Sequence, residues 1–204
     1  MKKSKSGNWE IFLEIAKAAG ILKNVQRTGW VLKGIKDVES VAEHSQRVAF
    51  LGMLLAAKFG HDTLRVLELS LIHDLGESGI GDIKWETGKI VIIPPDAKHK
   101  DEGTAMEKIF KQFDDGQTII DLWREFTYQT TKEARFVKQL DKLEMAIQAF
   151  EYEAQGYESK LLDEFWENAE KYLAGQELGE IFEELKRERE RISSNGKKLR
   201  SKSC

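Results

Sequence analysis

Apolar positions along the chain recur in helical steps, and no stretch shows the strict alternation of a half-buried strand. Trp9, Phe12, Leu13 and Ala16 form the apolar face of a first helix that Gly20 can stop. The connector "ILKNVQRTGWVLKGIKDVE" is broken by glycines and carries a tryptophan. Ser40 and Glu43 have the spacing of a capping box, which predicts a helix from there to Gly60. Asp62 can cap the next helix, which carries "LRVLELSLIHDL" until Gly76 breaks it. The segment "GIGDIKWETGKIVIIPPDAKHKDEG" is the least regular part and holds both prolines, Pro94 and Pro95. It reads equally as a mobile loop beside a site or as a plain linker.

Helical patterns resume in "TAMEKIFKQF" and "TIIDLWREFTYQ". Phe136, Leu140, Leu143, Ile147 and Phe150 follow steps of four, three, four and three, the stripe of a core-facing helix. Two amphipathic segments, "DEFWENAEKYL" and "LGEIFEELKRERERI", close the pattern. These elements predict one all-α domain over residues 8–192, a helical bundle, with disordered tails at 1–7 and 193–204.

Composition narrows the classes. With 204 residues the chain suits one substantial domain, and 41% hydrophobic with 33% charged residues describes a soluble protein with a heavily charged surface. A net charge of −3 supplies no positive field for a nucleic-acid polymer. No run reaches the roughly 20 apolar residues of a membrane span. The start, "MKKSKSGNWE", is basic but has no apolar segment of leader length. The one cysteine, Cys204, excludes an internal disulfide, so a cytoplasmic location is expected.

Candidate chemistry gathers around "LSLIHDLGESGIGDI", where an apolar run ends in His73-Asp74 and is followed by Glu77 and Asp82. Four histidines exist: His44, His61, His73 and His99. His44 lies in the first turn of its predicted helix, and His73 at the end of the next. Antiparallel neighbours joined by a short turn bring those two ends together. Imidazole nitrogens with a carboxylate suit Mn, Fe, Co, Ni or Zn rather than calcium. Asp141 borders the apolar stripe of its helix. It either completes that ligand set or pairs at the surface with Lys138 or Lys142. His61 reads as a capping or surface residue, and His99 as a solvated residue of a polar loop.

His44, His73-Asp74 and Asp141, in this order, resemble the motif of the HD-domain metal-dependent phosphohydrolase superfamily. The blocks "RTGWVLKGI", "ESVAEHSQRVA", "LIHDLGESGIGDI", "KHKDEGTAMEKI" and "EARFVKQLDKLEMAIQAFEYE" resemble its 5′-deoxynucleotidase branch, from about Arg27 to Glu153. The resemblance implies an HD-domain fold with one divalent ion, of Mn, Co, Ni, Fe, Zn or Mg, held by His44, His73, Asp74 and Asp141. It implies removal of the 5′-phosphate from nucleoside monophosphates, with Glu77 and Asp82 around the reacting phosphate and sugar. Arg27 and Trp30 would hold the nucleotide, and a homodimer is expected.

Two positions depart from the family pattern. Thr28 and Gly29 separate Arg27 from Trp30, where bacterial relatives place the aromatic directly after the arginine. Thr127 stands at an expected acidic position.

Physical chemistry is consistent with these roles. Arg27 offers a planar fork for phosphate, Trp30 a face for sugar or base or a plug for the core, and Lys33 a further phosphate contact. Glu77, four residues after His73, continues the same helical face and can orient water or give a proton to the leaving oxygen. Competing readings are a hydrolase of an alarmone or nucleoside triphosphate, although Ser78 stands where alarmone hydrolases carry Asp, and a non-catalytic dimeric HD-fold binding module. A two-metal oxygenase would need more histidines than remain.

Overall fold

The computed structural model describes the backbone of residues 9–80, 85–86, 89–90 and 95–200, and the side chains of residues 9–78 and 99–192. Among the described residues ten α-helices follow in order: α1 Trp9–Ile21, α2 Thr28–Leu32, α3 Val41–Leu55, α4 Thr63–Ile72, α5 Glu77–Ile80, α6 Pro95–Phe110, α7 Gly116–Tyr128, α8 Lys132–Ala154, α9 Ser159–Leu173 and α10 Gly179–Arg200. The all-α expectation therefore holds. Helical backbone continues to Arg200, into the stretch expected to be a tail, whereas residues 1–7 and 201–204 lie outside the described residues.

Local chemistry sets the helix ends as the sequence predicts. Ser40 accepts from the Glu43 backbone N–H at 3.2 Å, while the Glu43 carboxylate accepts from the Ser40 backbone N–H at 2.6 Å, completing the capping box of α3. A 3-10 turn over Ala57–Phe59 follows α3 and ends at Gly60, whose φ of 76° is the left-handed conformation that glycine adopts without strain. Asp62 accepts from the backbone N–H groups of Leu64 and Arg65 and starts α4.

Four elements differ from expectation. A helix opens α6 at Pro95 rather than near Thr104, because proline fits the first helical position, where no N–H is needed. His99 therefore lies on a helix rather than in a loop. Two strands, β1 Trp85–Glu86 and β2 Lys89–Ile90, pair antiparallel; at two residues each they are too short to show alternation. The apolar face of α1 stays largely in solvent, with Trp9 70% exposed and Phe12 and Leu13 about half exposed.

The long helix α8 is the axis of the bundle, in contact with α3, α4, α7, α9 and α10. Phe136, Leu140 and Leu143 of its stripe are fully buried or nearly so, as is the neighbouring Val137, while Ile147 and Phe150 are partly buried. The tight approach of α3 to α4 and α8 depends on Gly52: a Cβ there would lie 2.7 Å from Val66 Cγ1 and 3.4 Å from Leu140 Cδ1. That approach sets the start of α3 beside the end of α4.

Candidate metal centre

His44 enters on the first turn of α3 and is completely buried. His73 caps the C-terminus of α4, and Asp74 follows in the turn that leads to Glu77 at the start of α5. Asp141 comes from the middle of α8. The packing of α3, α4 and α8 brings these four side chains together. His44 Nε2 lies 3.3 Å from His73 Nε2, 3.4 Å from Asp141 Oδ1 and 3.7 Å from Asp74 Oδ2. His73 Nε2 lies 3.2 Å from the same Asp74 oxygen. Four side chains drawn from three separate segments of the sequence therefore converge on one point.

The donor set fits a divalent cation. Donors bound at about 2.0–2.2 Å from one ion sit roughly 3–4 Å from one another, as these atoms do. The nitrogens of His44 and His73 and an oxygen of Asp141 all fall within 4.8 Å of each other. The other nitrogen of each ring is already engaged, His73 Nδ1 with the Ser70 carbonyl at 2.7 Å and His44 Nδ1 with a Glu144 carboxylate oxygen. Both Nε2 atoms are thus left to face the cluster.

Electrostatics favours positive charge at this point. Burial and the Arg27 guanidinium oppose a proton on His44, but Glu144 and Asp141 outweigh them and push it up to about 10. Burial likewise opposes ionisation of Asp141, yet Lys138, Lys142 and His44 hold it well below the usual carboxylate range. Against the same penalty, Asp74 is held low by His73, His44 and Arg27.

Glu39, His44 and Glu144 also bring ligand atoms within 4.8 Å of one another. There, however, protein donors already take up the carboxylates. Glu39 accepts from Trp30 Nε1 at 2.8 Å and lies 3.7 Å from Arg27, while Glu144 is bridged by Arg47. Burial and the neighbouring Glu144 push Glu39 up to about 7.

A cavity of about 270 Å³ opens on the cluster, lined among others by Arg27, Trp30, Asp74, Glu77, Lys138 and Asp141. Arg27 Nη1 reaches Asp74 at 3.3 Å. Trp30 is 1% exposed and stacks on Phe165 with ring centroids 3.9 Å apart, so it is both a core plug and a wall of the cavity. Glu77 is buried and lines the cavity. Asp82 lies outside the described residues. Lys33 does not line the cavity; it pairs with Glu164 at 2.9 Å.

Sequence reasoning placed Lys138 and Lys142 only as surface partners of Asp141. They do pair with it, at 2.9 and 3.4 Å, but from inside the cavity wall. Their positions three before and one after Asp141 were the available signal. His61, expected as a capping or surface residue, is buried on the Phe136 ring with Nε2 2.8 Å from Glu177. Gly76, read from the sequence as a helix breaker, is also required by packing, since a Cβ there would meet Glu102 Cβ at 2.9 Å.

Comparison with known proteins places this geometry in a family. Residues 19–185 match the model described as HD domain. The 5′-deoxynucleotidase HDDC2 of Mus musculus is 33% identical over 192 residues, 93% of this chain and 94% of that protein. Its counterpart in Danio rerio is 36% identical over 189 residues, covering 91% and 92%. A solved structure described as a conserved hypothetical protein from Pyrococcus furiosus is 37% identical with a TM-score of 0.70, covering 86% of this chain and 99% of that one. On the family match and on relatives aligned over nearly their whole length, the chain belongs to the HD-domain family.

Proposed function

We propose that the chain is a metal-dependent 5′-deoxynucleotidase, a phosphoric monoester hydrolase that releases the 5′-phosphate of deoxyribonucleoside monophosphates. The observation that carries this reading is the convergence of His44, His73, Asp74 and Asp141 beside a cavity that also presents Arg27, Lys138 and Lys142. The names of the relatives aligned over most of the chain agree with it.

His44, His73, Asp74 and Asp141 would hold one divalent ion, of Mn, Co, Ni, Fe, Zn or Mg. Such an ion supplies neutralisation of phosphate charge and activation of water. Within the cavity the cationic groups of Arg27, Lys138 and Lys142 face the carboxylates of Asp74, Glu77 and Asp141. Arg27 offers a fork and the lysines offer point charges to the non-bridging phosphate oxygens. Glu77, buried in the cavity lining, would orient the attacking water or protonate the leaving 5′ oxygen. Asp82 is assigned to the sugar, and Trp30 with Phe165 to a wall against the nucleoside. Lys33, turned to Glu164, is no longer a candidate for the phosphate.

A cytoplasmic homodimer completes the reading. Phe50, Met53 and Leu54 on α3 and Leu64 and Leu71 on α4 are exposed apolar side chains on adjacent helices, a surface that suits a second copy. No helix among the described residues is long and apolar enough to cross a membrane.

Phosphate release from a panel of nucleotides, measured after loading with manganese or cobalt, tests the proposal. Turnover of deoxynucleoside monophosphates over triphosphates and guanosine tetraphosphate is expected. Turnover confined to the latter would replace it with the competing hydrolase reading. No release from any nucleotide by confirmed metal-loaded protein would leave only a binding module.

A further inference from the structure

Residues on α3 and α8 meet as two matched pairs. His44 and Arg47 are three apart on α3, and Asp141 and Glu144 are three apart on α8, so each pair lies on one helix face. Where the faces meet, α8 addresses both nitrogens of a single imidazole. Asp141 Oδ1 stands 3.4 Å from His44 Nε2, and a Glu144 oxygen meets His44 Nδ1 on the opposite edge. The other Glu144 oxygen accepts from Arg47 Nε at 2.8 Å and lies 2.7 Å from Arg47 Nη2. Arg47 in turn reaches Glu151 at 2.8 Å and also donates to Gln148.

We propose that Glu144, backed by Arg47, is a positioning residue for the metal centre that fixes His44 as an Nε2 ligand. This rests on the metal-dependent reading above and adds two residues to it.

A neutral imidazole carries one N–H and one lone pair, and whichever nitrogen donates leaves the other free to bind a cation. A carboxylate at Nδ1 makes that choice, sets the ring plane and raises the basicity of Nε2. His73 obtains the same orientation from the Ser70 backbone carbonyl, so only His44 depends on a replaceable side chain. Glu144 is completely buried, and a carboxylate there is costly unless matched by charge. Arg47 provides the match, and its position three residues after His44 ties the support to the ligand it serves. Glu144 does not line the cavity, so its action passes through His44.

Cobalt(II) titration of metal-free full-length protein, followed by absorption, tests the assignment without a nucleotide. Glu144→Gln preserves shape and leaves Arg47 its contacts with Gln148 and Glu151. It should weaken cobalt binding roughly 10- to 100-fold, as losses of such supporting groups do. Glu151→Gln, which removes another Arg47 partner but no contact with His44, should leave cobalt binding as in the wild type. The paired variant Glu144→Gln/Arg47→Gln removes both charges together and should match Glu144→Gln in affinity while keeping the helical circular dichroism. Wild-type cobalt affinity in Glu144→Gln, or an equal loss in Glu151→Gln, would overturn the proposal. A wild-type protein that binds cobalt yet hydrolyses no deoxynucleotide would instead end the functional reading and leave this one intact.

Discussion

Asp141 illustrates how one residue can satisfy two opposed demands. Its carboxylate is buried, which opposes ionisation, and is nevertheless held in the charged form by Lys138, Lys142 and His44. In metal-free protein the same pairs also serve stability. Asp141→Ala would leave two lysines and His44 without their shared partner. Because both lysines retain some exposure, the cost should be about 2 kcal/mol, below the ~3–5 kcal/mol of breaking a fully buried pair. Urea unfolding in the presence of chelator measures it, and an unchanged midpoint would contradict the role given to these pairs.

Legibility in the sequence varied at this scale for physical reasons. Asp141 stood out because a carboxylate beside an apolar stripe needs a partner. Glu144 did not, because an acidic residue on the flank of an amphipathic helix reads as solvent-facing; only the fold reveals that α3 covers it. Lys33 was misplaced because a flexible cation in a connector has no periodicity to fix its direction.

At the level of elements, polar caps were readable because their chemistry is local. The reciprocal bonds between Ser40 and Glu43 open α3 one turn ahead of His44. Ser40→Ala should cost about 1 kcal/mol, lowering the melting temperature by roughly 2–4 °C for a chain of this size. The linked pH dependence has a definite sign. Hydrogen bonds from the Ser40 backbone and hydroxyl hold the Glu43 carboxyl below its ordinary 4.5. Its contribution is therefore present above that value and lost as pH falls through the lowered one. The gap between wild type and Ser40→Ala, compared by thermal melts at neutral and acidic pH, should narrow in acid; a constant gap would count against the Glu43 half of the box. Elements whose signal is not local were harder to read. Prolines marked "VIIPPDAKHK" as irregular, although Pro95 is compatible with the first position of α6. Two-residue strands carry too few side chains to show a period.

For the whole molecule, the decisive step was topological. Antiparallel packing of α3 and α4 follows from the short connection between them, and it alone places His44 beside His73. Contact of both helices with the buried stripe of α8 then delivers Asp141 to the same point. What sequence periodicity could not supply was the second layer, in which Glu144 and Arg47 hold the ring and Lys138 and Lys142 charge the cavity wall. Those contacts depend on how helix faces are rotated against one another.

Metal content, determined by elemental analysis of purified wild-type protein and of Asp74→Ala after loading and exhaustive dialysis, addresses the centre directly. The convergence of two imidazoles and two carboxylates predicts that the wild type retains a divalent ion while Asp74→Ala loses it, with helical circular dichroism preserved in both. Equal metal retention by the two proteins, or none by the wild type, would contradict the account.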